Sequence, residues 1–352
     1  MLIYKWMEEI QIVRGSNRLC LYDLPRKEYH FAPIDFEKLI IKIEGKSDTT
    51  SFQLSNDEME WVSFMEEEEF IIKIPKSILN EFIPISLKWE HPSIITNAII
   101  YDNENIDKCL TLADQLCCKQ LVITCKSVER LKVLMESNFR ISNFQNIDVI
   151  LEEVEHENVL RLKEEFPIIG GVFTKQKYSK NELGAIMTLR DSDNNKKAFL
   201  VNIELFSESQ VHHTYFNRKL FIGANGEIKN SPETEEIFGY IQNINSADEL
   251  KEIILTPQFQ KYWTVHKDIC DVCKYCEFRH MCVENKIPYE RKENEWYHKI
   301  ECNYNPFIAK WEGEQGYLTL SECGIISNET EFSYDHDRLK QINDELWGEE
   351  SK

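Results

Sequence analysis

The feature that most constrains this chain is a group of cysteines near its C-terminal end. Five of them fall in one segment, which begins at Cys270 and ends at Cys302. Two overlapping C-x-x-C pairs open the segment, and thiolates at this spacing grip one metal ion or cluster from a tight turn. The remaining ligands must come from a second loop, and Cys282 and Cys302 suit that position. The segment therefore predicts a metal-binding module.

The identity of the metal is open on these residues alone. Four thiolates satisfy either a zinc ion or an iron–sulfur cluster. His280 and His298 lie nearby and are alternative zinc ligands. We favour a surface or supporting role for both histidines. The spacing also differs from the ferredoxin run, whose fourth cysteine follows three residues on and precedes proline.

Composition excludes several classes of protein. The chain has a formal net charge of −20 and no basic stripe, which argues against a nucleic-acid partner. No run of 18 apolar residues predicts a membrane span. No export signal opens the chain, so its 11 cysteines indicate metal or thiol chemistry in a reducing compartment. A cytoplasmic protein is expected.

The length of 352 residues predicts two or three domains of mixed α/β class. Short strands, two helices and a late strand over residues 1–88 predict a winged-helix-like domain. A capping box at Ser55 and Glu58 marks its second helix. The acidic surface of this domain favours a peptide over DNA as its ligand.

Residues from about 92 to 176 alternate between strand-like and helix-like segments, which predicts βα units, a parallel sheet and a partial barrel or short open sheet. Tyr178 to Asn195 is expected to be a linker and Ala198 to Phe206 a strand. Beyond them, Asn225-Gly226 predicts a β-hairpin turn. Ala247 to Ile254 is expected to form a short helix.

With these residues in view, the chain resembles a known family. Cys273-x-x-Cys276-x5-Cys282, followed by Cys302, resembles the C-terminal SPASM domain of radical-SAM peptide maturases. The segment around Cys302, Glu-Cys-Asn-Tyr-Asn-Pro, resembles the SPASM-domain peptide maturase of grasp-with-spasm systems. The resemblance is specific over residues 212–312. It implies a degenerate radical-SAM-like barrel over 92–206, a SPASM domain over 212–312 and a C-terminal tail over 313–352.

The departures from the family pattern concern one complete site. A full SPASM domain holds two auxiliary clusters, and Lys286 stands where a cysteine of one of them is expected. No cysteine lies between Cys125 and Cys270 to supply the others. The resemblance implies that the remaining site keeps its ligands, which are Cys273, Cys276, Cys282 and Cys302. Cys270 is an extra residue and an alternative ligand.

The reactive centre of the family is also missing from the sequence. Radical-SAM chemistry needs a C-x3-C-x2-C loop, and Cys117, Cys118 and Cys125 have the wrong spacing. S-adenosylmethionine is therefore not an expected cofactor. Whether any catalysis remains is left open.

Three hypotheses follow. In the first, the protein is a maturation factor for a ribosomally synthesised peptide. It binds the leader of the precursor peptide, cooperates with an ATP-grasp ligase and holds one [4Fe–4S] cluster. In the second, it is a redox-active peptide-modifying enzyme. In the third, it is a structural interaction protein with Zn²⁺ in place of the cluster.

Overall fold

The computed structural model has a mixed α/β fold, in which several sheets pack against helices. This confirms the predicted fold class, while the winged-helix, partial-barrel and SPASM assignments stay predictions. In the part of the chain that the structure describes, no helix is both long and apolar enough to cross a membrane. The described residues are 2–46, 54–138, 143–152, 156–174, 187–188 and 199–348.

The N-terminal region combines a three-stranded meander, two helices and a two-stranded sheet. Its elements are β1 (Leu2–Trp6), β2 (Ile10–Arg14), β3 (Leu19–Asp23), β4 (Glu28–Ala32), α1 (Phe36–Ile43), α2 (Asn56–Glu67) and β5 (Ile71–Pro75). The meander has the antiparallel order β2-β3-β4, and β1 pairs with β5 antiparallel. The predicted capping box is present: Ser55 accepts from the Glu58 N–H, and the Glu58 carboxylate accepts from the Ser55 N–H.

The middle of the chain forms the predicted parallel sheet. Its elements are β6 (Asn97–Ile100), α3 (Ile106–Gln115), β7 (Gln120–Cys125), α4 (Val128–Asn138), β8 (Asn146–Leu151), α5 (His156–Glu165), β9 (Ile169–Thr174) and β10 (Met187–Thr188). Neighbouring strands from β6 to β10 all pair in parallel. Apart from β10, the linker expected over Tyr178 to Asn195 lies outside the described residues.

The strand predicted at Ala198 to Phe206 is wrong, because residues from Ile203 onward form the helix α6 (Ile203–Ser209). The Asn202 side chain accepts a hydrogen bond from the Leu205 N–H at 2.8 Å, which caps the start of this helix. Phe206 then faces the interior. The apolar residues of this segment fit the pattern of a strand, but the Asn202 cap and the buried face of the segment favour a helix.

The predicted hairpin extends the same sheet. It comprises β11 (Lys219–Ile222) and β12 (Glu227–Lys229), which pair antiparallel and are followed by β13 (Gly239–Tyr240) and α7 (Ala247–Ile254). Gly226 adopts φ +81° at the turn, a conformation that favours glycine. β11 pairs in parallel with β6, so the complete strand order is β10-β9-β8-β7-β6-β11-β12-β13.

The cysteine segment follows, and smaller elements surround it. These are β14 (Pro288–Lys292), β15 (Glu295–His298), β16 (Tyr304–Asn305), β17 (Lys310–Trp311), β18 (Ile325–Ser327), β19 (Phe332–Tyr334) and α8 (His336–Trp347). The region expected to be a tail thus contains a hairpin and a helix. Their apolar residues pack against Phe307 and Ile308.

Two of the apolar cores position the cysteine segment. The larger core fills the eight-stranded sheet and its helices, and it continues through Leu220 of the hairpin to Trp263. A separate core joins the meander to the segment: Cys20 and Tyr22 pack in one cluster with Phe278 and Met281. The N-terminal meander therefore forms one wall behind the cysteines.

Candidate metal centre

The two C-x-x-C pairs fold into consecutive tight turns. A short 3₁₀ helix at Lys267–Ile269 precedes Cys270, and another spans Cys273–Tyr275. The Lys274 N–H donates to the Cys270 carbonyl at 3.0 Å, and the Cys276 N–H donates to the Cys273 carbonyl at 2.9 Å. Between the two turns, Val272 adopts φ +60°, which is strained for a β-branched residue. The backbone thus turns sharply at the point that separates Cys270 from Cys273.

Neighbouring strands hold this strained turn in place. Asp271 donates its N–H to the Trp296 carbonyl of β15 at 2.7 Å. Its buried carboxylate forms an ion pair with Arg291 of β14. The turn between the two pairs is therefore anchored to the hairpin of β14 and β15.

Cysteines from distant parts of the segment meet at one cavity. Cys273, Cys282 and Cys302 all line a cavity of about 80 Å³. Cys276 is not among the residues that line this cavity, and it packs with Cys302 against the apolar core that joins the meander to the segment. All four side chains are half-buried. The structure thus brings three of the four predicted ligand residues to one cavity, and the role of all four as ligands stays a prediction.

Cys270 occupies a different position. Its side chain is fully buried against Val265 and Trp296, and its Sγ donates to the His266 carbonyl at 3.5 Å. Cys270 is not among the residues that line the cavity. It packs behind the turn as an apolar side chain would.

Burial disfavours the thiolate form of Cys273 and of Cys276. It raises the pKa of Cys273 far above its usual value, and the Lys267 ammonium only partly opposes that rise. Burial likewise raises the pKa of Cys276, with Glu277 adding to the effect. Metal ligation requires thiolates, so binding would release protons and would weaken as the pH falls.

A buried lysine stands out at the cavity wall. The Lys267 side chain is 2% exposed, and its Nζ has no hydrogen-bond partner in the described part of the protein. Burial alone would lower the pKa of Lys267, but the charges of Cys273, Cys282 and Cys270 together raise it above its usual value. The cavity therefore joins an unpaired cation to cysteine sulfurs.

His298 and Lys286 also line the cavity. Burial, reinforced by the charge of Lys267, lowers the pKa of His298 to about 3, so its ring is neutral. Lys286, at the position where the family pattern places a cysteine, donates from Nζ to the Glu301 carbonyl at 2.8 Å. This bond ties the loop before β14 to the loop that carries Cys302.

Residues of the predicted tail close the remaining side of the cavity. Leu320, Ile325 and Ser327 belong to its lining. Ile325 begins β18 and is 3% exposed. The C-terminal region therefore supplies part of the cavity wall.

A single metal ion and an iron–sulfur cluster require different distances between their cysteine ligands. Thiolates that share one zinc ion, each at about 2.3 Å, lie about 3.8 Å from one another. Within the described residues, no group of three or more His, Cys, Asp or Glu side chains is arranged to hold one metal ion. In a [4Fe–4S] cluster each thiolate binds a different iron, so the ligands surround a wider space. A cavity lined by cysteines and an unpaired ammonium is compatible with that larger, anionic group.

The other histidine considered from the sequence, His280, has hydrogen-bond partners within the protein. The Nδ1 atom of His280 lies 3.0 Å from the Ser209 hydroxyl and 3.1 Å from the Gln210 Nε2 atom. His280 is buried, so the surface role considered for it is wrong.

Comparisons with known proteins add no assignment. No protein-family model, curated protein or solved structure matches the chain.

Sequence reasoning did not find Lys267 or the contribution of residues 318–327. A lysine beside an aspartate is ordinarily a solvated pair, and nothing in the sequence marks Lys267 as buried. The one available signal was its position three residues before the first C-x-x-C pair.

Proposed function

We propose that the protein is a maturation factor for a ribosomally synthesised peptide. It binds the leader of the precursor peptide and cooperates with an ATP-grasp ligase. One [4Fe–4S] cluster is held by Cys273, Cys276, Cys282 and Cys302. The observation that carries this proposal is the cavity that Cys273, Cys282 and Cys302 share with the unpaired ammonium of Lys267.

The cavity lining contains two ammonium and three carboxylate groups, and the Nζ of Lys267 has no hydrogen-bond partner among the described residues. This unpartnered cation is the feature that supports an anionic occupant. A cubane cluster with four thiolate ligands carries net negative charge. Burying an ammonium without a partner is costly, and an anionic group beside it offsets that cost. Such a cluster, when bound, supplies electron transfer or a structural link, and four cysteine ligands leave none of its irons open for S-adenosylmethionine.

The meander supplies the proposed peptide site. β4 lies at one edge of the β2-β3-β4 sheet, and an extended peptide can add a strand at such an edge. Tyr29 and Phe31 of β4 contact Phe278, with ring centroids 6.0 Å and 5.6 Å apart. Phe278 lies between Cys276 and Cys282, so a peptide on β4 would rest directly above the cysteine segment.

Cysteines in the βα region do not provide the missing reactive centre in this proposal. Cys117 is exposed, and Cys118 is buried with its Sγ donating to the Gln120 carbonyl at 3.3 Å. Cys125 ends β7 and lines a separate cavity. The proposed role is therefore binding and presentation of the peptide.

Anaerobic purification tests the metal part of the proposal. Iron, sulfide and zinc are quantified beside a visible absorption spectrum, and about four irons and four sulfides per chain are expected. Stoichiometric zinc without iron would favour the structural interaction protein instead. Cleavage of S-adenosylmethionine by the reconstituted protein would favour the enzyme.

The resemblance implies a small precursor gene beside this one, and fluorescence anisotropy with a labelled synthetic leader of that precursor tests peptide binding. Phe31→Ala should weaken binding about tenfold, because aromatic anchors dominate such interfaces. Ile41→Ala, at an exposed site on α1, is the matched control. Equal binding by both variants would exclude β4 as the site, and co-purification with the neighbouring ligase tests the second partner.

A further inference from the structure

Lys267 is a buried lysine whose Nζ has no hydrogen-bond partner among the described residues. The ion pairs of the described residues include none to its Nζ within 4.0 Å, although carboxylates line the same cavity. Asp271 is paired with Arg291, and Glu284 lies 3.7 Å from the Nζ of Lys286. Each of these acids therefore has another cation beside it.

The other basic side chains of the cavity differ from Lys267 in this respect. Lys286 donates to the Glu301 carbonyl, and the His298 ring is neutral. Among the described residues that line the cavity, Lys267 is thus the cation whose hydrogen bonds are unused. Its place on the 3₁₀ helix just before the cysteines fixes it at the cavity wall.

We propose that Lys267 is a positioning residue for the cluster, which it contacts through Nζ–H donation to a sulfide or thiolate sulfur. This rests on the proposed function, since it needs a cluster bound by Cys273, Cys276, Cys282 and Cys302. Reduction adds an electron to a group that is already negative. A buried ammonium beside the sulfur therefore stabilises the reduced form and raises the reduction potential of the cluster.

The same contact makes the stability of the protein depend on the cluster. With the cluster bound, the ammonium has a partner, and without it the ammonium is buried and unpaired. Removing the charge should therefore stabilise the apo-protein and weaken retention of the cluster. A lysine that only fills space would not be expected to have these opposite effects on the stability of the apo-protein and on retention of the cluster.

The experiment compares Lys267→Met with the wild type. Lys340→Met, at an exposed position on α8 outside the cavity lining, is the control. The full chain is purified anaerobically, iron is counted, and the midpoint potential is measured by a spectroscopic redox titration. Thermal unfolding is then recorded for each protein with and without its cluster. Lys267→Arg, which restores a donor, serves as the conservative variant.

We expect Lys267→Met to shift the midpoint potential to more negative values, to lose iron faster, and to raise the Tm of the apo-protein. Lys340→Met should leave the potential near that of the wild type, and Lys267→Arg should recover most of the shift. An unchanged potential in a fully loaded Lys267→Met protein, or a lower Tm of its apo form, overturns the role of Lys267 while leaving the cluster in place. Absence of iron from the wild type overturns the proposed function itself, and this inference with it.

Discussion

Arg18 donates from Nε to the Oε1 atom of Glu277 at 2.6 Å, joining the start of β3 to the residue that follows Cys276. The Glu277 side chain is fully buried, and the Tyr304 hydroxyl donates to the same oxygen. The Tyr22 hydroxyl donates to the Glu277 carbonyl at 2.7 Å. The N-terminal meander is thus bonded to the cysteine segment through one acidic residue.

Arg18→Met should destabilise the protein by about 3 kcal/mol near neutral pH, because it leaves a buried carboxylate without its cation. Urea denaturation under anaerobic conditions measures the free energy of unfolding. Arg14→Met is the control, since its pair with Glu37 is exposed and should contribute less than about 1 kcal/mol. Equal losses of stability in the two variants would mean that the buried Arg18–Glu277 pair contributes no more than the exposed Arg14–Glu37 pair.

Cys302→Ser should lose most of the iron, because the ligand from the second loop is replaced by a weaker donor. Cys270→Ala should keep the iron, since Cys270 is buried against Val265 and Trp296 and its Sγ donates to the His266 carbonyl. Iron per chain and the visible spectrum are measured for both variants. The reverse result would move the ligand role from Cys302 to Cys270.

Ile325→Ala should destabilise the protein by about 2–4 kcal/mol, because it removes a buried side chain from the cavity wall. It should also speed the bleaching of the cluster in air, since the C-terminal region then covers the site less completely. Bleaching is followed by visible absorption after exposure to oxygen. Ile326→Ala, at the adjacent exposed residue, should change neither quantity.

Glu208 should make stability depend on pH. Burial raises its pKa to about 7, and the hydrogen bond from the Asn217 Nδ2 atom opposes part of that rise. An unfolded glutamate titrates near pH ~4.3, so between these values the folded state binds more protons. The contribution of Glu208 is therefore complete below about pH 4 and is lost as the pH rises through about 7.

Glu208→Gln should remove this dependence and gain about 3 kcal/mol at about pH 8, against about 1 kcal/mol at about pH 5 and close to nothing at about pH 4. The free energy of unfolding measured in urea across this range tests the expectation. Glu204→Gln, at an exposed position on the same helix, is the control. A gain that is the same at every pH would show that the glutamate titrates normally.

Local patterns in the sequence were enough to predict most elements. The Asn225-Gly226 turn, the capping box at Ser55 and the alternating segments of the βα region each depend on residues close together in the chain. The strand prediction for Ala198 to Phe206 was wrong because the apolar pattern of this segment fits both a strand and a helix. The cap at Asn202 favours the helix. Periodicity alone does not distinguish these cases.

The candidate site was predictable only in part. The spacing of Cys273, Cys276 and Cys282 is visible in the sequence, and the structure adds that Cys302 reaches the same cavity. The burial of Lys267 depends on contacts with residues distant in the chain, so no local pattern reveals it. Ile325 lies in a region expected to be a tail, and its role needs the tertiary fold.

The parallel pairing of β11 with β6 has a consequence for how this chain can be divided. A fragment that began at residue 212 would carry every cysteine of the cavity, yet it would leave the backbone of Lys219–Ile222 without the neighbour that Asn97–Ile100 provides. Leu220 and Ile222, both fully buried, would face water. The cysteine-bearing half therefore cannot be transferred to another protein by itself. Recombination between related genes would have to keep β6 and β11 together.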